Sequence, residues 1–162
     1  MNDSPAPTDP LRSATAHVST FASAKPVPIP DELSAPFFDG AQRGQMMLLR
    51  CGACATFQSP LPFIGVPLRS RCVECFAGEL TWVAASGNAT LYSFAIIHQL
   101  YDEAFAADIP YNIAVVETDE GVRVTSQVVG CENHELAIGM ELKVTFEHQS
   151  DIVPIPRFKP RT

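Results

Sequence analysis

The rhythm of apolar and polar positions changes along the chain, and each change marks an element. Residues 1–30 mix proline with Ser, Thr and Ala in no periodic arrangement. Such a segment buries too little apolar surface to offset the entropy of ordering it, and it reads as a mobile tail. It ends in an extended Pro26-Val-Pro-Ile-Pro30 stretch suited to lie on a partner or on the domain itself. From Asp31 a short helix is expected, with Ser34 as N-cap, Pro36 in the first turn and Gly44 as the stop. Phe37 and Ala41 share one face, flanked by Leu33 and Phe38. That stripe packs either on its own domain or on a second protein.

Met46 to Leu49 forms the first predicted strand, and Pro60, Pro62 and Pro67 break the following stretch into loop and short strand. Glu79 to Ala85 is a strand that carries Trp82 as an anchor of the core or of the ribbon. After Ser86-Gly-Asn88 the pattern turns regular and β-rich, with strands over Thr90–Ile97, Tyr111–Glu117 and Val122–Val129. Thr118-Asp-Glu-Gly121 is a hairpin turn by its chemistry, Glu132–Glu135 a helical turn, and Leu142–His148 a last alternating strand. Strands at this spacing point to a small closed barrel of the OB type, with a sandwich as the alternative. The end, Pro154 to Thr162, gathers Arg157, Lys159 and Arg161. It reads as a solvated basic tail, or as a contact for an anionic ligand such as the phosphates of a nucleotide-like cofactor.

The chemistry concentrates between Arg50 and Phe76. Cys51-Gly-Ala-Cys54 is followed by seventeen residues and then Cys72-Val-Glu-Cys75, the spacing of a zinc ribbon. Each pair forms a knuckle that aims two sulfurs at one point. Four thiolates around one Zn²⁺ close a tetrahedral site with no position left for water or substrate, so the metal is structural. Zinc is favoured, although a rubredoxin-type iron centre uses similar knuckles. Two disulfides, or four unrelated buried cysteines, are the other readings, and a reducing compartment disfavours the first. Arg50, Arg69 and Arg71 are placed to balance the negative charge of the sulfurs.

The net charge of −7 over 162 residues argues against a nucleic-acid surface, which needs clustered Lys and Arg. No apolar run is long enough to span a membrane, and the N-terminus lacks an export signal, so the expected setting is the cytoplasm. No nucleophile stands beside an evident base. Cys131 reads as a small buried hydrophobe, His17 lies in the tail, His134 in a polar turn and His148 at a strand end. His98 ends a long strand and opens the loop from Gln99 to Pro110, where binding residues are commonly placed. That loop and Tyr111 are candidates for contact with a partner.

The order of motifs resembles the DUF35 family over about residues 31–160. The carriers are Pro36-Phe-Phe38 with Gly44, Leu49-Arg-Cys-Gly-Ala-Cys54, Cys72-Val-Glu-Cys75, Ala85-Ser-Gly87, Leu91-Tyr-Ser-Phe94, His98, Pro110-Tyr111, Val129-Gly-Cys131, Ile138-Gly-Met140 and Val144-Thr-Phe146. Beside the mobile tail over 1–30 that composition gives, the resemblance implies a mostly β chain: an N-terminal helix and rubredoxin-like zinc ribbon over 31–85, and a five-stranded OB-fold barrel with a C-terminal tail over 86–162. It implies one structural Zn²⁺ on Cys51, Cys54, Cys72 and Cys75. It further implies a non-catalytic subunit that binds a thiolase-like enzyme, a thiolase or a retro-aldolase, in a hetero-oligomer and helps to form its acyl-CoA site. Steroid side-chain breakdown is one setting known for the family. Phe37, Phe38, His98, Tyr111, Arg157 and Lys159 are the residues then expected to meet the partner or the acyl-CoA. A nucleic-acid-binding ribbon and OB module is the alternative, and charge counts against it.

Overall fold

A computed structural model describes residues 25–60, 71–148 and 153–161. The tail over 1–24, including His17, lies outside the described residues, as do Pro62, Pro67 and Arg69. In chain order the elements are α1 (Ala35–Gln42), β1 (Met47–Cys51), β2 (Phe57–Gln58), β3 (Leu80–Ala84), β4 (Asn88–Ile97), β5 (Tyr111–Thr118), β6 (Arg123–Ser126), β7 (Glu141–His148) and β8 (Pro154–Pro160). No helix among the described residues is long and apolar enough to cross a membrane.

Helix α1 begins where Asp31 and Ser34 exchange bonds. The Ser34 N–H donates to Asp31 Oδ1 at 2.7 Å, and the Asp31 N–H donates to Ser34 Oγ at 3.0 Å. Ser34 stands at the N-cap position but makes no side-chain cap, so the expected role is shared with Asp31, whose carboxyl is held low by the Ser34 side chain and then its backbone. Gly44 ends the helix at φ +71, as a left-handed stop, with its N–H on the Ala41 carbonyl at 2.9 Å. Phe37, Gly40 and Ala41 are buried, and the helix packs on β1 and β8 of its own chain.

Strands β2, β1 and β3 form one antiparallel sheet, with Leu49 between Gln58 and Trp82. The second sheet runs β6-β5-β4-β7-β8, and all its neighbouring pairs are antiparallel. A bulge between Leu91 and Ser93 interrupts the β4–β5 register, the kind of irregularity that bends a strand. The sheet curls until Val128 meets Phe158 in a parallel bridge. The Phe158 N–H donates to the Gln127 carbonyl at 3.0 Å, and the Val129 N–H to the Phe158 carbonyl at 2.7 Å. Five strands in this order, curled toward closure by a parallel contact, make the OB-fold. Along β5, Asn112, Ala114, Val116 and Thr118 are buried at every second residue, as a one-sided strand requires. Leu91, Ala114, Val116, Leu142 and Phe158 are fully enclosed, and Met46 and Leu48 of the ribbon side join the same cluster. Ribbon and barrel therefore share one core.

The C-terminal stretch differs from the solvated tail expected above. Residues 154–160 are strand β8, Phe158 is in the core, and Arg157 is paired through Nε with Glu147 at 2.9 Å. The prolines that make the stretch look irregular occupy positions whose N–H would point away from β7.

Candidate metal centre

The two knuckles are built alike. In the first, the Cys51 N–H donates to the Thr56 carbonyl at 2.9 Å, and the Ala55 N–H returns to the Cys51 carbonyl at 3.0 Å. In the second, the Cys72 N–H donates to Ala77 at 2.8 Å, and the Phe76 N–H returns to Cys72 at 3.1 Å. The residue after the second cysteine of each pair takes a left-handed backbone, Ala55 at φ 64 and Phe76 at φ 60. Neither is glycine, so each knuckle holds a conformation that costs an L-residue roughly 1–2 kcal/mol. The first cysteine of each pair is buried and the second exposed.

This folding brings Cys51, Cys54, Cys72 and Cys75 together, with all four Sγ atoms within 4.8 Å of one another. Cys51 Sγ is 3.6 Å from Cys75 Sγ, and Cys54 Sγ is 3.5 Å from Cys72 Sγ. A disulfide needs an S–S distance of about 2.05 Å, so these pairs are not bonded. A tetrahedral metal with bonds of about 2.3 Å sets its sulfurs roughly 3.8 Å apart, and the cluster fits. The four cysteines can thus hold a metal ion in a closed sulfur cage. Crowded thiols also compete to ionise. Cys54 is drawn down to about 6, first by the Thr56 side chain and then by its backbone. Cys75 is pushed up to about 12: the Ala77 backbone pulls it down, but Cys54, burial and the other sulfurs outweigh that pull. A bound dication relieves such competition by stabilising all the thiolates together.

Among the described residues, the groups hydrogen-bonded to the sulfurs belong to Glu74 and Thr56 and not to Arg50 or Arg71, while Arg69 lies outside the described residues. The Glu74 N–H points to Cys72 Sγ at 3.4 Å, and Thr56 Oγ1 lies 3.2 Å from Cys54 Sγ. Arg50 lies over the Phe57 ring at 5.7 Å, and Arg71 donates to the Phe76 carbonyl at 3.1 Å. Arg71 thereby braces the second knuckle through its backbone. Gln58, which the pattern reading passed over, joins the knuckles: its Nε2 donates to the Arg71 carbonyl at 3.3 Å, and its Oε1 accepts the Val73 N–H at 3.0 Å. It is buried at 4% exposure. A buried glutamine in a two-residue strand is the one signal that would have found it, and burial is not visible in the sequence.

The remaining expected site residues divide between places. Phe37, Phe38 and Arg157 line one cavity of about 310 Å³ between α1 and the barrel. Tyr111 and Arg157 line another of about 390 Å³, with Phe105 next to Tyr111 at 6.4 Å between ring centroids. His98, exposed at the end of β4, and Lys159, exposed on β8 opposite Lys143, line neither. Cys131 is half-buried against the core, and burial followed by the charges of Glu135 and Glu132 pushes its thiol up, as suits an inert residue.

Residues 82–147 match the family model described as the C-terminal OB-fold domain of ChsH2. A DUF35 domain-containing scaffold protein of Methanothermobacter thermautotrophicus is 36% identical over 103 residues, which cover 59% of this chain and 77% of the relative. The chain belongs to the DUF35 family. Among its further relatives is a probable enoyl-CoA hydratase alpha subunit of Thermomonospora curvata, 27% identical over 136 residues. That match covers 84% of this DUF35 chain but only 40% of the relative's length. A solved structure described as "Ltp2-ChsH2(DUF35) aldolase" superposes with a TM-score of 0.68 at 27% identity, covering 83% of this chain and 98% of the other. The DUF35 protein described here is thus similar to chains named as scaffold proteins and to chains associated with hydratases and an aldolase.

Proposed function

We propose that this DUF35 protein is a zinc-bearing, non-catalytic subunit that docks on a thiolase-like enzyme, a thiolase or a retro-aldolase, and helps to shape its acyl-CoA site. The observation that carries the reading is the likeness to the DUF35 chain of an aldolase assembly over 98% of that chain's length. The sulfur cage supports a structural metal. Cys51, Cys54, Cys72 and Cys75 would hold one Zn²⁺, which supplies a rigid cross-link between the knuckles. The chain's own residues supply position: Gln58 sets the second knuckle against β2, and the core shared by ribbon and barrel turns the two into one adaptor. The described histidines stand apart from the cage in the fold, at the end of β4, in the turn Asn133–Glu135 and at the end of β7.

The test is co-expression. The tagged chain should carry an untagged thiolase-like protein through purification, identified by mass spectrometry, with about one zinc per chain by metal analysis. Acyl-CoA turnover should belong to the complex. Turnover of a thioester by this chain alone, or an iron spectrum from the purified protein, would overturn the reading.

A further inference from the structure

We infer that Phe76, at the end of the second knuckle, is an anchor that seats in an apolar pocket of the partner enzyme. The inference deepens the proposed docking role and rests on that reading for the class of partner. Phe76 is 70% exposed, whereas Phe37 and Phe158 of the same chain are buried. A single exposed apolar residue is ordinary. This one, however, is held at φ 60, in the left-handed region. The knuckle calls for that backbone after its second cysteine, since Ala55 holds φ 64 at the matching place in the first. Glycine takes such a conformation without strain, and a ring that stays exposed gains little from its own fold to offset it. Strain that the fold does not offset points to a role outside the fold.

The backbone that carries the ring is fixed in place. Arg71 Nη1 donates to the Phe76 carbonyl at 3.1 Å, and the Phe76 N–H donates to the Cys72 carbonyl at 3.1 Å. Buried Gln58 bonds the Arg71 carbonyl and the Val73 N–H of the same knuckle. A residue ordered in this way before a partner arrives loses less freedom on binding than one in a loose loop. Exposed aromatic side chains with such support are the kind that anchor the centre of an interface.

The surroundings describe the pocket that Phe76 fits. Cys54 and Cys75 are exposed, and so are Gly52, Ala53 and Ala55 of the first knuckle. These neighbours are small, so a partner can approach the cage closely. Four thiolates on one dication carry a net charge of about −2. Glu74 and Glu79 are exposed beside them, and the Glu79 carboxylate lies against Gly52, where an added Cβ would be 3.2 Å from Oε2. Arg71 supplies one opposing charge, and the balance stays negative. Charge complementarity then gives the partner's pocket an apolar floor for the ring and a rim of Lys, Arg or free N–H groups for the cage.

The experiment follows the full-length, zinc-loaded chain in two assays that should move in opposite directions. Alone, Phe76→Gly should raise the melting temperature by about 1–4 °C at unchanged zinc content, because the left-handed backbone is relieved. In complex with the thiolase-like enzyme that the native chain carries through co-expression, the same variant should weaken binding about thirtyfold, the loss of one anchor, read by sedimentation of the purified complex on dilution. Phe76→Ala separates ring from strain: binding should weaken equally while the melting temperature stays near the native one. Ala55→Gly relaxes the first knuckle in the same way and should bind within about twofold of native, as a surface change does. Glu74→Lys should weaken binding by opposing the basic rim. Native binding by Phe76→Gly or Phe76→Ala, a lower melting temperature in Phe76→Gly, an equal loss in Ala55→Gly, or tighter binding by Glu74→Lys would overturn the inference. A native chain that carries no thiolase-like enzyme sinks the proposed function and this inference with it, whereas a native complex indifferent to Phe76 sinks the inference alone.

Discussion

Replacing Gln58 tests whether the sulfur cage is held in shape by the chain or by the metal alone. In Gln58→Ala the bonds to Arg71 and Val73, at 3.3 and 3.0 Å, disappear without loss of a ligand. Arg71 is exposed and Val73 half-buried, so the freed carbonyl and N–H regain some water. The loss is then close to the net value of two hydrogen bonds, about 2 kcal/mol in all. Ordering the ribbon and binding its metal are one event, so this loss appears as weaker metal affinity, about thirtyfold at 1.4 kcal/mol per tenfold. Gln58→Leu keeps most of the volume and separates the bonds from the cavity that alanine leaves. Both variants should lose zinc to a chromogenic chelator at a concentration that leaves the native protein loaded. Affinity within twofold of native in both, with Cys75→Ser still abolishing binding, would show that the metal needs no help from Gln58.

Removal of the metal by chelation should lower the single calorimetric transition of the whole chain, because Met46 and Leu48 belong to the barrel core; two transitions with an unmoved barrel would contradict the shared core. Gly87→Ala should cost about 2–4 kcal/mol by denaturant unfolding, since φ is +76 there and a new Cβ would lie 2.7 Å from Val144 Cγ1. Phe158→Ala should cost about 3–5 kcal/mol in the same assay, where a solvated tail would give almost nothing. Ala55→Gly should raise stability by about 0.5–1 kcal/mol with metal content unchanged, because the left-handed backbone at φ 64 no longer opposes a side chain.

The parts of the fold that could be read in advance are those where a local rule and the tertiary environment agree. The knuckle spacing is set by the geometry of a tight turn around one ion, so Cys51 to Cys75 declare the cage without help from the rest of the chain. Strand β5 alternates because one face is core, and Gly44 and Gly121 stand where left-handed turns need them, at φ 71 and 78. The sharing of the helix start between Asp31 and Ser34 was less accessible, because an Asp three residues before a Ser supports either as the first cap. Gln58 was out of reach for a different reason. Its role depends on a segment thirteen residues or more away in sequence, and nothing local marks it.

Strand β8 is the clearest case of a correct rule that needs one more piece of geometry. Proline donates no hydrogen bond, so three in seven residues argue against a strand. The Arg161 N–H, however, donates to the Glu141 carbonyl across the β7 side, while the Phe158 N–H points the other way, to Gln127. Odd positions therefore serve the β7 ladder, and Pro154, Pro156 and Pro160 all fall at even ones. The ladder loses no donor, and Phe158 keeps the even-position N–H that helps to draw β8 onto residues 127–129. Shifted by one residue, the same prolines would remove donors from β7 and turn Phe158 out of the core. The alternation of proline with Ile155, Arg157 and Lys159 is thus a strand signal in its own right. It also explains how Arg157 comes to stand between two cavities: a strand fixes where a side chain points, and a solvated tail does not.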